Sequence, residues 1–182
     1  EQHIDRLLKS LPKVFIDLPM TRLELMSVAQ DTLARNKYKD AIIRLTVTRG
    51  DTQSNIQMDS DIPPSLVINI RSFAPLPKAT YIKGVKIKLF QERASLVNGL
   101  DQRLKSCNYL SNILIKKLSH EKGFMDGVVI DPDFGVTEGT TSNVFIVRQG
   151  VLKTPPVSAY VLEGVTRQVV LEIARAHKIP FR

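Results

Sequence analysis

The sequence predicts a mixed α/β (α+β) fold arranged as two domains. Segments with helical spacing alternate with segments of strand-like alternation, and no internal repeat relates them. Pro75 and Pro77 stand together in APLPKAT and stiffen the chain near its middle. The charge balance changes at the same point. Up to Pro77 there are 10 Lys/Arg against 9 Asp/Glu (net +1), and from Lys78 onward 16 against 9 (net +7). The expected division is a small α/β domain over 1–77 and a second domain over 78–182.

In the first domain, Ile4, Leu7, Leu8 and Leu11 define an amphipathic helix over 3–11. It starts at full stride with no cap, so the chain is expected to begin inside an element, with the N-terminal part of this domain missing. LPKVFIDLPM reads as a short strand closed by Pro19. Thr21 can N-cap the next helix, with Glu24 at the capping-box position. That helix presents Leu25, Val28, Ala29, Thr32 and Leu33 on one face and ends near Asn36. Ile43, Leu45 and Val47 alternate with polar neighbours as in a half-buried strand, which Gly50 ends. DTQSNIQMDSDIPP reads as a polar loop and SLVINIRSF as another strand. Helices laid on an antiparallel sheet account for this half.

In the second domain, VKIKLF alternates as a strand. CNYLSNILIKKLSHEKG has helical spacing through Leu110, Ile113, Leu114 and Leu118, with Gly123 as its stop. MDGVVID, a Pro-Asp-Phe-Gly turn, VTEG, SNVFIVRQG and VLKTPP read as strands and their connections. Gly164 and Thr166 open the last helix, whose buried stripe is expected at Val169, Val170, Ile173 and Ala174. The chain stops just beyond that helix, so the C-terminal part of this domain is also expected to be missing.

Composition narrows the function classes. Hydrophobic residues at 43% and charged residues at 24% are a globular balance and exclude a disordered tail or a fibre. No apolar run nears the ~20 residues that would span a bilayer, so no membrane is expected. Cys107, the one cysteine, excludes a disulfide framework and a Cys-rich zinc module. His3, His120 and His177 lack partners at metal-ligand spacing, so no metal is expected. A soluble protein of a reducing compartment, the cytoplasm, fits this usage. The +8 charge makes nucleic acid the first partner to test, but 6% aromatics and no Trp offer no stacking platform. A small anionic ligand suits the positive second half better.

Three features there could carry chemistry. Lys105, in RLKSCNYL, stands where a loop meets a helix. A lysine is nucleophilic only when neutral, and burial beside cations such as Arg103 would lower its pKa. A solvated surface lysine is the plain alternative. Glu138, in VTEGTTSN, ends a strand, and a buried carboxylate there needs a partner such as a protonated heterocyclic nitrogen. The alternative is a turn in which Thr140 to Asn143 satisfy their own backbone. LEGVTR places Gly164, Val165 and Thr166 at a helix start, where free N–H groups and the helix dipole can hold a phosphate. An ordinary N-cap is the alternative. An amine, a carboxylate and an anion seat are together what pyridoxal 5'-phosphate requires.

The order HIDRLLKSL, VTRG, LKSCNYLSN, GVVID, VTEGTTSNVFIV, LKTPP, VLEGVTR closely resembles the class IV aminotransferases, the fold-type IV pyridoxal-phosphate enzymes, across nearly the whole chain. The resemblance implies a small α/β domain, a cofactor-binding pseudo-barrel domain and a homodimer. It implies that Lys105 is the catalytic lysine that holds the cofactor as an internal aldimine. Glu138 is then the acid at the pyridine nitrogen, and Arg6 the arginine on the cofactor phosphate. Gly164, Val165 and Thr166 hold the same phosphate, Leu162 packs on the ring face and Tyr109 lies near the ring hydroxyl. Asn143 joins the cofactor site, while Thr141 and Ser142 line the substrate side. The implied reaction moves an amino group between an amino acid and a 2-oxo acid.

Within the family, Lys105 to Asn108 has the K-x-x-N spacing of D-amino-acid aminotransferases and aminodeoxychorismate lyases, and EGTTSN resembles the former. The Arg-x-His carboxylate trap of the D-amino-acid group is absent after VTRG, which continues as DTQSNIQMDSD. The glycine-rich extension of the branched-chain and lyase groups is absent too. A D-amino-acid aminotransferase is the expectation. The alternatives are the lyase that releases 4-aminobenzoate and pyruvate, a branched-chain aminotransferase, and a non-catalytic scaffold.

Overall fold

A computed structural model describes residues 1–51, 62–91 and 103–182. The chain divides into two compact units, Glu1–Pro77 and Lys78–Arg182. The mixed α/β (α+β) class holds in both.

In the first unit, α1 (Gln2–Ser10) buries Ile4. The segment expected to be a strand, LPKVFIDLPM, instead opens with a 3₁₀ turn over Leu11–Val14. Pro12 presets the helical φ at its start, and Phe15 closes it in the left-handed region at φ 55°. Arg49 then pins the turn, its Nη2 donating to the carbonyls of Val14 at 2.9 Å and Phe15 at 3.0 Å. Hydrophobic alternation does not report bonds to a residue 34 to 35 positions away, so the strand reading fails here.

Helix α2 (Arg22–Asn36) starts at the expected capping box. The Thr21 N–H donates to Glu24 Oε2 at 2.7 Å, and the Glu24 N–H donates to Thr21 Oγ1 at 3.3 Å. The Thr21 N–H and, at 2.8 Å, the Thr21 hydroxyl donate to the Glu24 carboxyl and hold it below its ordinary range. Leu25 and Ala29 are buried, but Val28 is exposed, so the buried stripe is narrower than the sequence suggests. Strands β1 (Ala41–Thr48) and β2 (Ser65–Ser72) pair antiparallel, with Ala41 opposite Ser72 and Thr48 opposite Ser65. Most of the polar stretch expected between them lies outside the described residues.

The second unit opens with α3 (Lys78–Lys83), so the stiff stretch ends at Pro77 and not at Thr80. Strand β3 (Ile87–Gln91) runs parallel to β4 (Asp126–Asp131), which pairs antiparallel with β5 (Gly135–Gly139). Helix α4 (Leu110–Glu121) packs on this sheet through Ile115 and Ser119. Gly127 of β4 permits that approach, because a Cβ there would collide with Ile115, Phe90 and Ser119. Leu110, Ile113, Leu114 and Leu118 of α4 are consequently exposed in this unit.

SNVFIVRQG yields only a short strand, β6 (Ile146–Arg148), in a hairpin with β7 (Val151–Lys153). The residues before it form a loop tied back to β5 by a single bridge between Glu138 and Asn143. Helix α5 (Val165–Ala176) starts after Gly164 as expected. Of its predicted stripe only Ala174 is buried, whereas Val169 and Ile173 are exposed.

Candidate active site

One pocket in the second unit gathers seven of the expected residues. Lys105, Tyr109, Glu138, Thr141, Ser142, Asn143 and Leu162 all line it. Its two walls come from different parts of the chain. One is the loop before α4 and the first turns of that helix. The other is the end of β5 with the loop that follows.

Glu138 sits at the end of β5, where β4 covers one flank of the strand. Its carboxyl is pushed up to about 7, chiefly because burial disfavours the charged form. Two effects oppose that shift, the Leu162 N–H and the nearby charge of Lys105. Leu162 N–H and Asn143 Nδ2 both donate to Oε2, each at 3.2 Å. Both of these bonds take the same carboxyl oxygen.

Asn143 ties three elements together. Its Nδ2 also donates to the Leu162 carbonyl at 3.0 Å. Its Oδ1 lies where a Cβ on Gly164 would stand, so only glycine fits at the start of α5 against this amide. Glu138, Asn143, Leu162 and Gly164 thereby form one connected wall. The turn alternative for this loop is also realised in part, because the Gly139 N–H donates to the Ser142 carbonyl at 2.7 Å.

Lys105 is exposed, not buried among cations as its sequence reading requires. It precedes α4 in an open loop, and its Nζ donates to the Tyr109 hydroxyl at 2.6 Å. Arg103 turns to another partner, its guanidinium 5.5 Å from the centre of the Tyr160 ring. Tyr109 is the N-cap of α4, four residues beyond the lysine.

Gly164, Val165 and Thr166 form the cap and first turn of α5, with no side chain capping them. They lie off the pocket lining and connect to it through Leu162 and Asn143. Arg6 belongs to the first unit, where its Nη2 lies 3.3 Å from His3 Nδ1. Among the described residues no cluster of His, Cys, Asp and Glu could hold a metal ion. No described helix is long and apolar enough to cross a membrane.

Sequence reasoning missed Asn112 and Thr140, which also line the pocket. Asn112 stands three residues beyond Tyr109, and that helical spacing was the available signal. Thr140 left no signal beyond its place in the loop.

A family model for amino-transferase class IV matches residues 1–182, the whole chain. The chain belongs to the class IV aminotransferases. A Methanocaldococcus jannaschii protein carrying a provisional branched-chain-amino-acid aminotransferase name is 36% identical over 179 residues, 98% of this chain and 61% of that protein. A Bacillus licheniformis D-alanine aminotransferase is 31% identical over 186 residues, 100% of this chain and 62% of that protein. The crystal structure of a Thermoproteus uzoniensis branched-chain aminotransferase with norvaline superposes with a TM-score of 0.89 at 28% identity, covering 100% of this chain and 60% of that one. This class IV aminotransferase chain thus spans about three fifths of the length of the relatives it matches.

Class IV aminotransferases use pyridoxal phosphate. The pocket suits that group. A buried carboxyl on one wall, bonded by Asn143 and Leu162 through a single oxygen, matches a cationic ring N–H. A primary amine on the facing wall matches an aldehyde carbon.

Proposed function

We propose that the whole protein transfers an amino group between an amino acid and a 2-oxo acid, with pyridoxal phosphate seated in the Lys105–Glu138 pocket. The observation that carries this reading is the pairing of a buried, near-neutral Glu138 carboxyl with the Lys105 amine across one pocket. When bound, the cofactor supplies an aldehyde to capture the amino group and a ring that accepts electrons as the substrate Cα–H bond breaks.

The residues divide the remaining work. Glu138 would hold the ring N–H through its carboxyl and, as a carboxylate, would keep that nitrogen protonated. Leu162 N–H and Asn143 Nδ2 hold one carboxyl oxygen and fix the carboxyl in place. Lys105, as a free neutral amine, would take the proton from the substrate Cα and deliver it to the cofactor carbon that receives the amino group. The Tyr109 hydroxyl, 2.6 Å from Nζ, orients that amine. The Val165 and Thr166 N–H groups, with the Thr166 hydroxyl, suit a phosphate at the start of α5. Thr141 and Ser142, exposed at the pocket mouth, suit substrate contact.

A D-amino acid is the proposed donor, supported by the EGTTSN loop and by the D-alanine aminotransferase relatives. The 36% identical relative favours a branched-chain amino acid as the second reading. The assay supplies 2-oxoglutarate with D-alanine, with L-leucine, or with neither plus aminodeoxychorismate. Pyruvate from the first mixture supports the proposal, 4-methyl-2-oxopentanoate from the second replaces it, and pyruvate from the third alone makes the protein a lyase. Lys105→Ala should abolish turnover in whichever mixture is active while cofactor still binds non-covalently. Near-normal turnover by that variant would remove the lysine from the chemistry. A homodimer and a cytoplasmic setting complete the reading, and light scattering tests the former.

A further inference from the structure

A side-chain bond joins the two walls of the pocket. Asn112 Nδ2 of α4 donates to the Thr140 carbonyl at 2.6 Å. Thr140 is 2% exposed, so without this donor its carbonyl oxygen would be buried and poorly satisfied. The same residue is fixed from the other side, its hydroxyl donating to Asp126 Oδ1 at 2.6 Å. Asp126 Oδ1 also accepts the Gly127 N–H at 2.8 Å, which anchors the chain of bonds in β4. Asn112 therefore links the helix that Tyr109 caps to the loop that follows β5, by way of a residue clamped to the central strand.

From this juxtaposition we infer that Asn112 is a positioning residue that sets the span between the Lys105–Tyr109 wall and the Glu138 wall of the pocket. It acts through the backbone of Thr140 and touches neither reacting group in the bonds described. The inference rests on the proposed function, because the span matters only if one ligand is gripped by both walls. Two features give Asn112 leverage. It lies one turn along α4 from Tyr109, so a tilt of the helix start moves the Lys105 partner with it. Thr140 lies two residues from Glu138, so slack at Thr140 reaches the carboxyl directly. Asparagine suits the task because its amide is a short, neutral donor. Aspartate at the same place would set a carboxylate oxygen against a carbonyl oxygen.

The test compares Asn112→Ala, Asn112→Asp and the conservative Asn112→Ser in the full-length protein. Pyridoxal phosphate affinity is read by quenching of tyrosine emission, and the Glu138 titration by carbon-13 NMR of the cofactor-free form. Melting temperature serves as the control. Loss of a buried bond of this kind should weaken pyridoxal phosphate about tenfold in Asn112→Ala and more in Asn112→Asp. The Glu138 titration should move toward its ordinary range as the wall loosens, and Asn112→Ser should recover part of both effects. The groups facing Glu138 in that titration are Lys105, Asn143 and the Leu162 N–H. Unchanged affinity and titration in Asn112→Ala, or in Asn112→Ser should the alanine variant not fold, would overturn the inference. A lower melting temperature with neither change would reduce Asn112 to helix packing. Failure of the unmodified protein to bind pyridoxal phosphate would instead sink the proposed function and leave the Glu138 titration to judge Asn112.

Discussion

Glu138 shows how a single residue is set by its surroundings. Folding lifts its pKa from 4.5 to about 7, mainly by burial. Between those values the native chain keeps a proton that the unfolded chain has released. Stability therefore falls as pH climbs through that window, by up to roughly 3 kcal/mol. Glu138→Gln should flatten this dependence and leave the variant more stable than the parent above pH 7, as read by urea denaturation below and above the window. The same substitution should cut turnover by orders of magnitude, since a neutral amide cannot hold a protonated ring nitrogen. A variant within a few-fold of the parent would contradict the role given to Glu138. The identity of Glu138 was legible from VTEGTTSN, whereas its partner Leu162 N–H lies 24 residues away and left no local trace.

At the scale of elements, the start of α5 shows the tightest fit. Gly164 has an ordinary φ of −67°, so its need for glycine is spatial and not conformational. In Gly164→Ala the new Cβ must displace the Asn143 amide, which would give up its bonds to Glu138 and Leu162. A loss of about 1–3 kcal/mol is expected, measured by thermal melting, together with weaker pyridoxal phosphate binding. Wild-type stability and affinity would show that the amide moves freely. Local devices made three helices legible: the capping box of α2, Gly123 after α4 and Gly164 at the start of α5. Their buried faces were less so. Ile115 and Ser119 of α4 face the sheet because Gly127 leaves room there, and that glycine belongs to a different strand. The misread segment at Leu11–Val14 has the same origin, since Arg49 fixes it from a distance of 34 to 35 residues.

Across the whole chain, 7 of the 8 net positive charges fall after Pro77, in the unit that holds the pocket. A field of that sign speeds the approach of a phosphorylated ligand, and salt shortens its reach. Raising ionic strength from about 0.1 M to about 1 M cuts the screening length from ~10 Å to ~3 Å. Association of pyridoxal phosphate, followed by stopped-flow absorbance, should slow several-fold over that range. Pyridoxal, which lacks the phosphate, should barely respond. Equal salt dependence for both would assign the field no part in capture.

Sequence alone determined the class of this protein. Composition, element order and the motifs around Lys105, Glu138 and Gly164 are properties of contiguous residues, and they sufficed to indicate the class IV aminotransferases. Only the tertiary structure decided that the Glu138 carboxyl is held near neutrality, that Lys105 stands open to solvent beside Tyr109, and that Asn112 bridges the two walls. Burial and hydrogen bonding between distant segments depend on which backbones are brought together, and no local pattern of side chains encodes that distance.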